Sequence, residues 1–328
     1  MLNIGINGFG RIGKSILTQA LSHKDVRVAA INYPGFNIES ICSYLRHDSA
    51  HHTKHMIDVK VVNGTTININ NQDIHILNNR IPKPGMWNDY GAGYVFDTTG
   101  NFLSDKLARL HNSDYFIMCA PPKDQTPQYL YNGNHNKYGG ERVVSNSSCT
   151  TNCVVPLINL LNQHYGIDHV NFITIHAATA SQNVLDGVHL RDRSHRSIFN
   201  NIIPHTTGAS RSIIKIIPEL DGKVFGTSVR IPTSNVSMVD INVTLRLDVS
   251  LDDILNGFRE SGVVEVSDDP HLVSSDFMTT TSPTIIDSVA SMEMGNKQYK
   301  FTVWYDNEWS YSAQALRMAK HMYGVNCV

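Results

Sequence analysis

Gly8-x-Gly10-x-x-Gly13 follows an apolar strand-like run, Leu2–Asn7, and opens a helical pattern at 10–23. No other feature of the chain limits its fold so strongly. Glycines at this spacing permit a tight turn and close approach of the backbone to a pyrophosphate, which rests against the helix start. The motif alone also fits an ordinary strand–turn–helix whose glycines serve packing. Its place directly behind a first strand is what points to a dinucleotide. The first half continues in the same style, with strand-like runs at Val26–Asn32, Tyr94–Asp97, 115–119 and 142–145 separated by helical patterns. Such alternation implies a parallel sheet with helices on its faces. Residues 58–77 alternate apolar and polar positions around Asn63-Gly64 and read as hairpin structure inserted into the wound sheet.

After Gly166 the character changes. Residues 170–176, 224–231 and 238–248 read as longer strands of antiparallel type, with helices at 211–217, Leu251–Ser261 and 312–323. Between Asp186 and Pro204 lies a long irregular segment carrying Arg191, Arg193 and Arg196, and a loop of this length in a compact domain is usually functional. At 328 residues the chain exceeds what one core normally serves, so two domains are expected. A formal charge of −2 with no basic block gives nucleic acid no electrostatic footprint. No run is apolar and long enough to cross a bilayer, and no signal-peptide core is present. Five cysteines make no disulfide framework and fit a reducing cytoplasm.

Cys149 carries the chemistry. It sits in Ser145-Asn-Ser-Ser-Cys-Thr-Thr-Asn-Cys153, a polar run that empties into an apolar helix ending at Gly166. Ser147 or Ser148 can cap that helix, and a thiol at its start should ionise more easily than usual. A lone histidine, His176, closes the strand-like run after it, and a cysteine with a chain-distant histidine is a catalytic pairing. The competing readings are a space-filling cysteine and a hydrogen-bonded core histidine. His47, His51, His52 and His55 superficially resemble a metal cluster, yet no acidic or cysteine set completes it. A solvated segment is the better reading, and no metal is expected. Cys153, one turn behind Cys149, is expected to be buried.

Several blocks together are more specific than any pattern. They include Ile6-Asn-Gly-Phe-Gly-Arg-Ile-Gly13, Asp97-Thr-Thr-Gly100, the Cys149 run, Asn201-Ile-Ile-Pro204, Thr206-Thr-Gly-Ala209, Arg230-Ile-Pro-Thr233 and Trp304-Tyr-Asp-Asn-Glu-Trp309. From end to end the chain resembles the phosphorylating glyceraldehyde-3-phosphate dehydrogenase family. The resemblance implies an α/β fold: an N-terminal Rossmann dinucleotide-binding domain (1–148 with 312–328) and an α+β catalytic domain (149–311) with a mainly antiparallel sheet. It also implies a cytoplasmic homotetramer that uses NAD, glyceraldehyde 3-phosphate and inorganic phosphate.

By position, Cys149 matches the nucleophile and His176 the base. Thr179 and Arg230 match the site for the substrate's own phosphate. Ser148, Thr150, Thr207 and Gly208 match the inorganic-phosphate site, completed by Arg193 or Arg196. Gly8, Phe9, Gly10, Arg11, Ile12 and Gly13 match the pyrophosphate loop. Asn32, Tyr33, Thr99 and Gly100 match cofactor contacts, while Asn307, with Tyr311 nearby, matches the residue that orients the nicotinamide amide.

Two departures bear on the cofactor. Tyr33 replaces the family's ribose-binding Asp and Val188 its loop Pro, both of which the family uses against NADP; yet no Arg or Lys stands within 32–37 to receive a 2′-phosphate. NAD is therefore expected first, with NADP or dual use open. The enzymatic rival is an erythrose-4-phosphate dehydrogenase, against which Thr206-Thr-Gly-Ala209 speaks. The rival of another class is a non-catalytic nucleotide- or RNA-binding relative, against which intact Cys149, His176 and Arg230 speak.

Overall fold

The computed structural model describes residues 1–52, 56–188 and 193–327. They divide into two compact units, Met1–Ser148 with Ser312–Val328, and Cys149–Tyr311. The first unit runs β1 (Leu2–Asn7), α1 (Arg11–Ala20), β2 (Val26–Asn32), α2 (Ile38–Arg46), β3 (Val59–Asn63), β4 (Thr66–Ile69), β5 (Gln72–Leu77), β6 (Tyr94–Asp97), α3 (Asp105–Ala108), β7 (Tyr115–Met118) and β8 (Val143–Ser145). Its 8-stranded sheet has the order β3-β4-β5-β2-β1-β6-β7-β8. From β5 to β8 every pairing is parallel. The antiparallel strands β3 and β4 enter through β5, which pairs with β2. Ile4, Ile6, Phe96 and Ile117 fill the core, and the C-terminal helix α7 (Trp309–Asn326) adds Leu316, Ala319 and Met322 to it.

A buried charge cluster pins α1 to the segment after α2. The Nζ of Lys14 donates to the carbonyls of Tyr44 and His47, each at 2.7 Å, and lies 2.9 Å from Asp48. Arg11 donates to both Asp48 oxygens. Burial alone would raise the Asp48 pKa, but the N–H of His51, Arg11, Lys14 and the N–H of Ala50 hold it far below the usual carboxylate range. His51 is buried beside this cluster, which corrects the solvated reading at that position, where Asp48 draws the chain inward; His47 and His52 are exposed, as that reading has it. His55 lies outside the described residues.

The second unit runs α4 (Cys149–Tyr165), β9 (Ile167–His176), β10 (Ile203–His205), α5 (Ala209–Ile216), β11 (Val224–Arg230), β12 (Ser237–Leu245), α6 (Leu251–Ser261), β13 (Glu265–Ser267), β14 (Ile285–Gly295) and β15 (Gln298–Tyr305). Its 7-stranded sheet has the order β10-β11-β9-β12-β15-β14-β13. Most pairings are antiparallel, as expected. The pair β11–β9 is parallel instead, because the long excursion through β10 and α5 lets the chain cross over before β11 begins.

The register of that pair sets Phe172 opposite Gly226 and His176 opposite Arg230. A Cβ on Gly226 would fall 2.2 Å from the Phe172 ring, so only glycine lets the ring lie across the neighbouring strand. Cys153 is fully buried in α4, as its spacing from Cys149 implies.

Asp48→Asn should cost roughly 3–5 kcal/mol at neutral pH, because it leaves the buried Lys14 cation without its counter-charge. A shift of the denaturant midpoint reads this out. A carboxyl depressed in the folded state stabilises above its unfolded pKa of about 3.9. The gap between the two proteins should therefore shrink as pH falls below that value.

Candidate functional site

In the first unit the glycine loop has the shape a pyrophosphate needs. Gly8 takes φ +92°, closed to most side chains, and a Cβ on Gly13 would fall 2.4 Å from the Gly8 carbonyl oxygen. Nothing lies within 4 Å of a Cβ built on Gly10, so the backbone is open there. Gly10 caps α1 without any side-chain hydrogen bond to the first turn. These observations fit a dinucleotide held by backbone N–H groups. Phe9 is buried, and the Arg11 guanidinium is drawn to Asp48. Thr98 Oγ1 donates to the Gly8 carbonyl at 2.9 Å, and Thr99 Oγ1 to Asp97 Oδ1 at 2.8 Å, so the turn through Thr99 and Gly100 braces the glycine loop.

At the end of β2 the side chain of Asn32 is turned to the scaffold. It donates to Asn7 Oδ1 at 2.8 Å and to the Asn79 carbonyl at 3.0 Å, and accepts from the Asn79 N–H. Tyr33 stacks on Phe36 with ring centroids 4.4 Å apart. The cation absent from 32–37 arrives from elsewhere. A Cβ on Gly35 would lie 3.3 Å from Arg80 Nη2, and Asn78 Oδ1 accepts from the Gly35 N–H at 2.9 Å. The sequence reading missed Arg80, which follows β5 and reaches this loop only through β5–β2 pairing.

In the second unit Cys149 is the first residue of α4. The chain enters through Ser147 at φ +55°, a left-handed conformation uncommon outside glycine. Cys149 Sγ lies 3.4 Å from His176 Nε2. Nδ1 of His176 lies 2.8 Å from the Ala177 carbonyl and 2.5 Å from Arg230 Nη1, which itself donates to that carbonyl at 3.2 Å. A guanidinium nitrogen only donates. The carbonyl calls for a proton on Nδ1 and the guanidinium for its lone pair, so Arg230 and the Ala177 carbonyl compete for one ring nitrogen, and the outcome decides whether Nε2 faces sulfur as acceptor or donor.

Burial, and then the charge of Arg230, push the His176 pKa down to about 3. Burial raises the Cys149 thiol, opposed by Arg230, by the Thr150 N–H and hydroxyl, and by its own N–H. Burial thus works against the ionisation that the helix start and the nearby cation favour, although the residue is only partly shielded from solvent. When Nδ1 holds the ring proton, Nε2 can accept the thiol proton across this contact, and a transfer would create opposite charges side by side.

The remaining predicted residues sit mostly in local networks of their own. Thr150 Oγ1 meets Tyr305 Oη at 2.9 Å, and Ser148, partly buried, precedes the nucleophile. Thr207 Oγ1 accepts from the Ala209 N–H at 3.2 Å, and Gly208 caps α5 with open space around it. Together they form a second helix start. Thr179 Oγ1 lies 3.0 Å from Ser181 Oγ on an exposed turn. Arg196 is braced, its Nε donating to Asp186 at 3.1 Å while Gln182 holds its carbonyl; Arg193 opens a 3-10 turn three residues earlier, and Arg191 lies outside the described residues. Asn307 Oδ1 accepts from Ser237 Oγ at 2.8 Å, and Tyr311 is buried in the first turn of α7. Among the described residues no group of His, Cys, Asp and Glu side chains is arranged to hold a metal, and no helix is long and apolar enough to cross a membrane.

Residues 2–105 match the NAD binding domain of glyceraldehyde 3-phosphate dehydrogenase, and residues 148–307 its C-terminal domain. The chain belongs to the glyceraldehyde-3-phosphate dehydrogenase family. It is 37% identical to the glyceraldehyde-3-phosphate dehydrogenase of Bacteroides fragilis, over 98% of each chain. To the cytosolic enzyme of Leishmania mexicana it is 36% identical, over 98% of this chain and 99% of that one. A chloroplastic relative from Arabidopsis thaliana is 34% identical, over 97% of this chain and 78% of its own. As a member of the glyceraldehyde-3-phosphate dehydrogenase family, the chain is an NAD-dependent oxidoreductase with a Rossmann domain and a catalytic domain.

Tyr33→Asp should place a carboxylate near Arg80, supply acceptors for ribose hydroxyls and repel a 2′-phosphate. NAD preference, read as the ratio of kcat/KM for NAD and NADP, should rise about tenfold for each 1.4 kcal/mol gained. Arg80→Ala should lower NADP use more than NAD use; an equal loss with both cofactors would show Arg80 to be structural.

Proposed function

We propose that the chain oxidises glyceraldehyde 3-phosphate with NAD and inorganic phosphate to an acyl phosphate, 1,3-bisphosphoglycerate, through a thioester on Cys149. The observation that carries this reading is the contact series Cys149 Sγ, His176 Nε2, His176 Nδ1, Arg230 Nη1. It ties a nucleophile, a base and an anion-binding cation into one unit.

The substrate's phosphate gives Arg230 a better partner than an imidazole nitrogen. Once the guanidinium turns to that anion, Nδ1 can carry the proton and donate it to the Ala177 carbonyl. Nε2 is then open as a base. Sulfur attacks the aldehyde carbon as its proton passes through Nε2 to the carbonyl oxygen, giving a thiohemiacetal. The first-turn N–H groups of α4 stabilise the oxyanion on the way. Nε2 then takes the hydroxyl proton as hydride leaves the same carbon, and the C=O of a thioester forms. The chemistry NAD supplies when bound is hydride acceptance. Phosphate oxygen next attacks the thioester carbon, the C–S bond breaks, and the departing sulfur recovers its proton from Nε2.

The start of α5, with Thr207 and Gly208, offers donors for the attacking phosphate, and Arg196, fixed by Asp186, supplies a cation on the same loop system. These donors favour phosphate over water as the acyl acceptor. They set the reading apart from an erythrose-4-phosphate dehydrogenase. The reading includes a cytoplasmic homotetramer. Leu185, Val188, Phe199 and Ile202 stand exposed on the segment between β9 and β10, an apolar surface that neighbouring subunits would cover.

NADH formation from glyceraldehyde 3-phosphate should require phosphate or arsenate, and a phosphate-independent rate would overturn the phosphorylating step. Cys149→Ala should abolish turnover. Arg230→Leu should weaken kcat/KM for the triose phosphate, by on the order of 1.5–3 kcal/mol of charged hydrogen bonding. Unphosphorylated glyceraldehyde should suffer much less; equal losses for both would make Arg230 a scaffold residue.

A further inference from the structure

The glycine loop follows the carboxyl end of β1, and the reaction above makes no use of the other end of the sheet. There, in the first unit, Phe116 stands near the start of β7, Arg142 just before β8 and Val143 at its first position. Between them and the turn after α3 lies a cavity of about 140 Å³.

Its floor is apolar. Ala108, Phe116 and Val143 line it, and all three are buried. The floor is also fixed in place. The Phe116 ring packs against His111 with centroids 4.9 Å apart, and Trp87 Nε1 donates to His111 Nδ1 at 3.2 Å. Burial pushes the His111 pKa down to about 4, so no charge stands behind the floor at neutral pH.

The rim carries two cations. The 3-10 turn Arg109–His111 ends at Asn112 with φ +48°, a left-handed conformation that Asn adopts more readily than most residues. Beyond this reversal Ser113 lines the same cavity as Arg109. Arg142 reaches it from the other side, tied to the backbone. Its Nε donates to the Asp114 carbonyl at 3.0 Å and its Nη2 to the Ser113 carbonyl at 2.9 Å. Arg109 is steadied by Nε on Asp105 at 2.6 Å. Among the described residues no further acceptor is bonded to either guanidinium, and no carboxylate lines the cavity. Both arginines therefore hold unused N–H groups beside an apolar hollow.

We propose that this cavity binds a small organic carboxylate, its apolar body over Phe116 and Val143 and its charge between Arg109 and Arg142.

A guanidinium presents a planar fork that matches a carboxylate. A bare inorganic oxyanion would use only the exposed rim, where water and salt weaken the attraction. An uncharged apolar molecule would cover the floor and give the two cations nothing in return. Only an anion with a hydrocarbon part uses both surfaces. The volume limits its size, since a cavity of about 150 Å³ holds a benzene ring. A ring or chain of up to about six carbons fits on that scale, with the carboxylate at the mouth.

The probe is benzoate, with benzamide as an uncharged molecule of nearly the same shape. Each is titrated into the full chain loaded with NAD, in phosphate-free buffer, and followed by saturation-transfer NMR. Benzoate should bind about tenfold or more tighter than benzamide, the worth of a charged hydrogen bond. Arg142→Gln and Arg109→Gln should each weaken benzoate by about tenfold and leave benzamide unchanged. Arg142 also ties down two carbonyls, so its loss could unfold the segment; Arg109→Gln gives up only an exposed ion pair and keeps the test decisive. Arg230→Leu, in the second unit, should leave benzoate binding as it was. Binding that survives Arg109→Gln at full strength, or that is equal for benzoate and benzamide, overturns the proposal. So does binding lost in Arg230→Leu, which would place the anion in the other unit.

Discussion

The second unit is organised around the contact between the Cys149 sulfur and His176 Nε2, held in a partly enclosed place. Burial opposes charge on either group taken alone. The helix start favours the thiolate, and Arg230, against Nδ1, disfavours the imidazolium. A site so balanced is quiet until something changes one term. In the proposed reaction the substrate's phosphate would do so by drawing Arg230 away from Nδ1. Selectivity for a phosphorylated aldehyde and readiness of the base would then follow from one contact.

The first unit solves its own charge problem in a different way. Its glycine loop offers backbone N–H groups to a pyrophosphate, while the nearest cations, Arg11 and Lys14, are engaged by Asp48. Affinity for the dinucleotide then depends on the shape of the loop more than on net charge. That shape is held by Thr98 against Gly8 and by the close approach of Gly13 to the Gly8 carbonyl.

Local signals were the ones legible in the sequence. The strands Leu2–Asn7, Val26–Asn32 and Tyr94–Asp97 and the helix Leu251–Ser261 fall where their patterns place them, since alternation, caps and glycines act over a few residues. The nearness of Cys149 and His176 could be suspected only from residue type and from resemblance. What stayed hidden depends on pairing between distant segments. Arg80 comes to Gly35 because β5 lies beside β2, His51 turns inward because Asp48 meets Lys14, and β11 runs parallel to β9 because of a crossover no local pattern encodes. The drop in the His176 pKa is hidden for the same reason, as it comes from enclosure and from Arg230 on another strand.

The Phe172–Gly226 pair acts as a ruler for the site. His176 lies four residues beyond Phe172, and Arg230 four beyond Gly226, in one unbroken register. The ring finds room only over the residue that lacks a Cβ, so any other alignment meets a side chain. A slip by one position would also turn β11 over, carrying Arg230 to the opposite face of the sheet. The spacing between base and cation is therefore measured out by an aromatic ring and a missing methyl group, well away from the reacting atoms. Variation at Gly226 would act as an error of alignment, felt first in the chemistry at the strand ends.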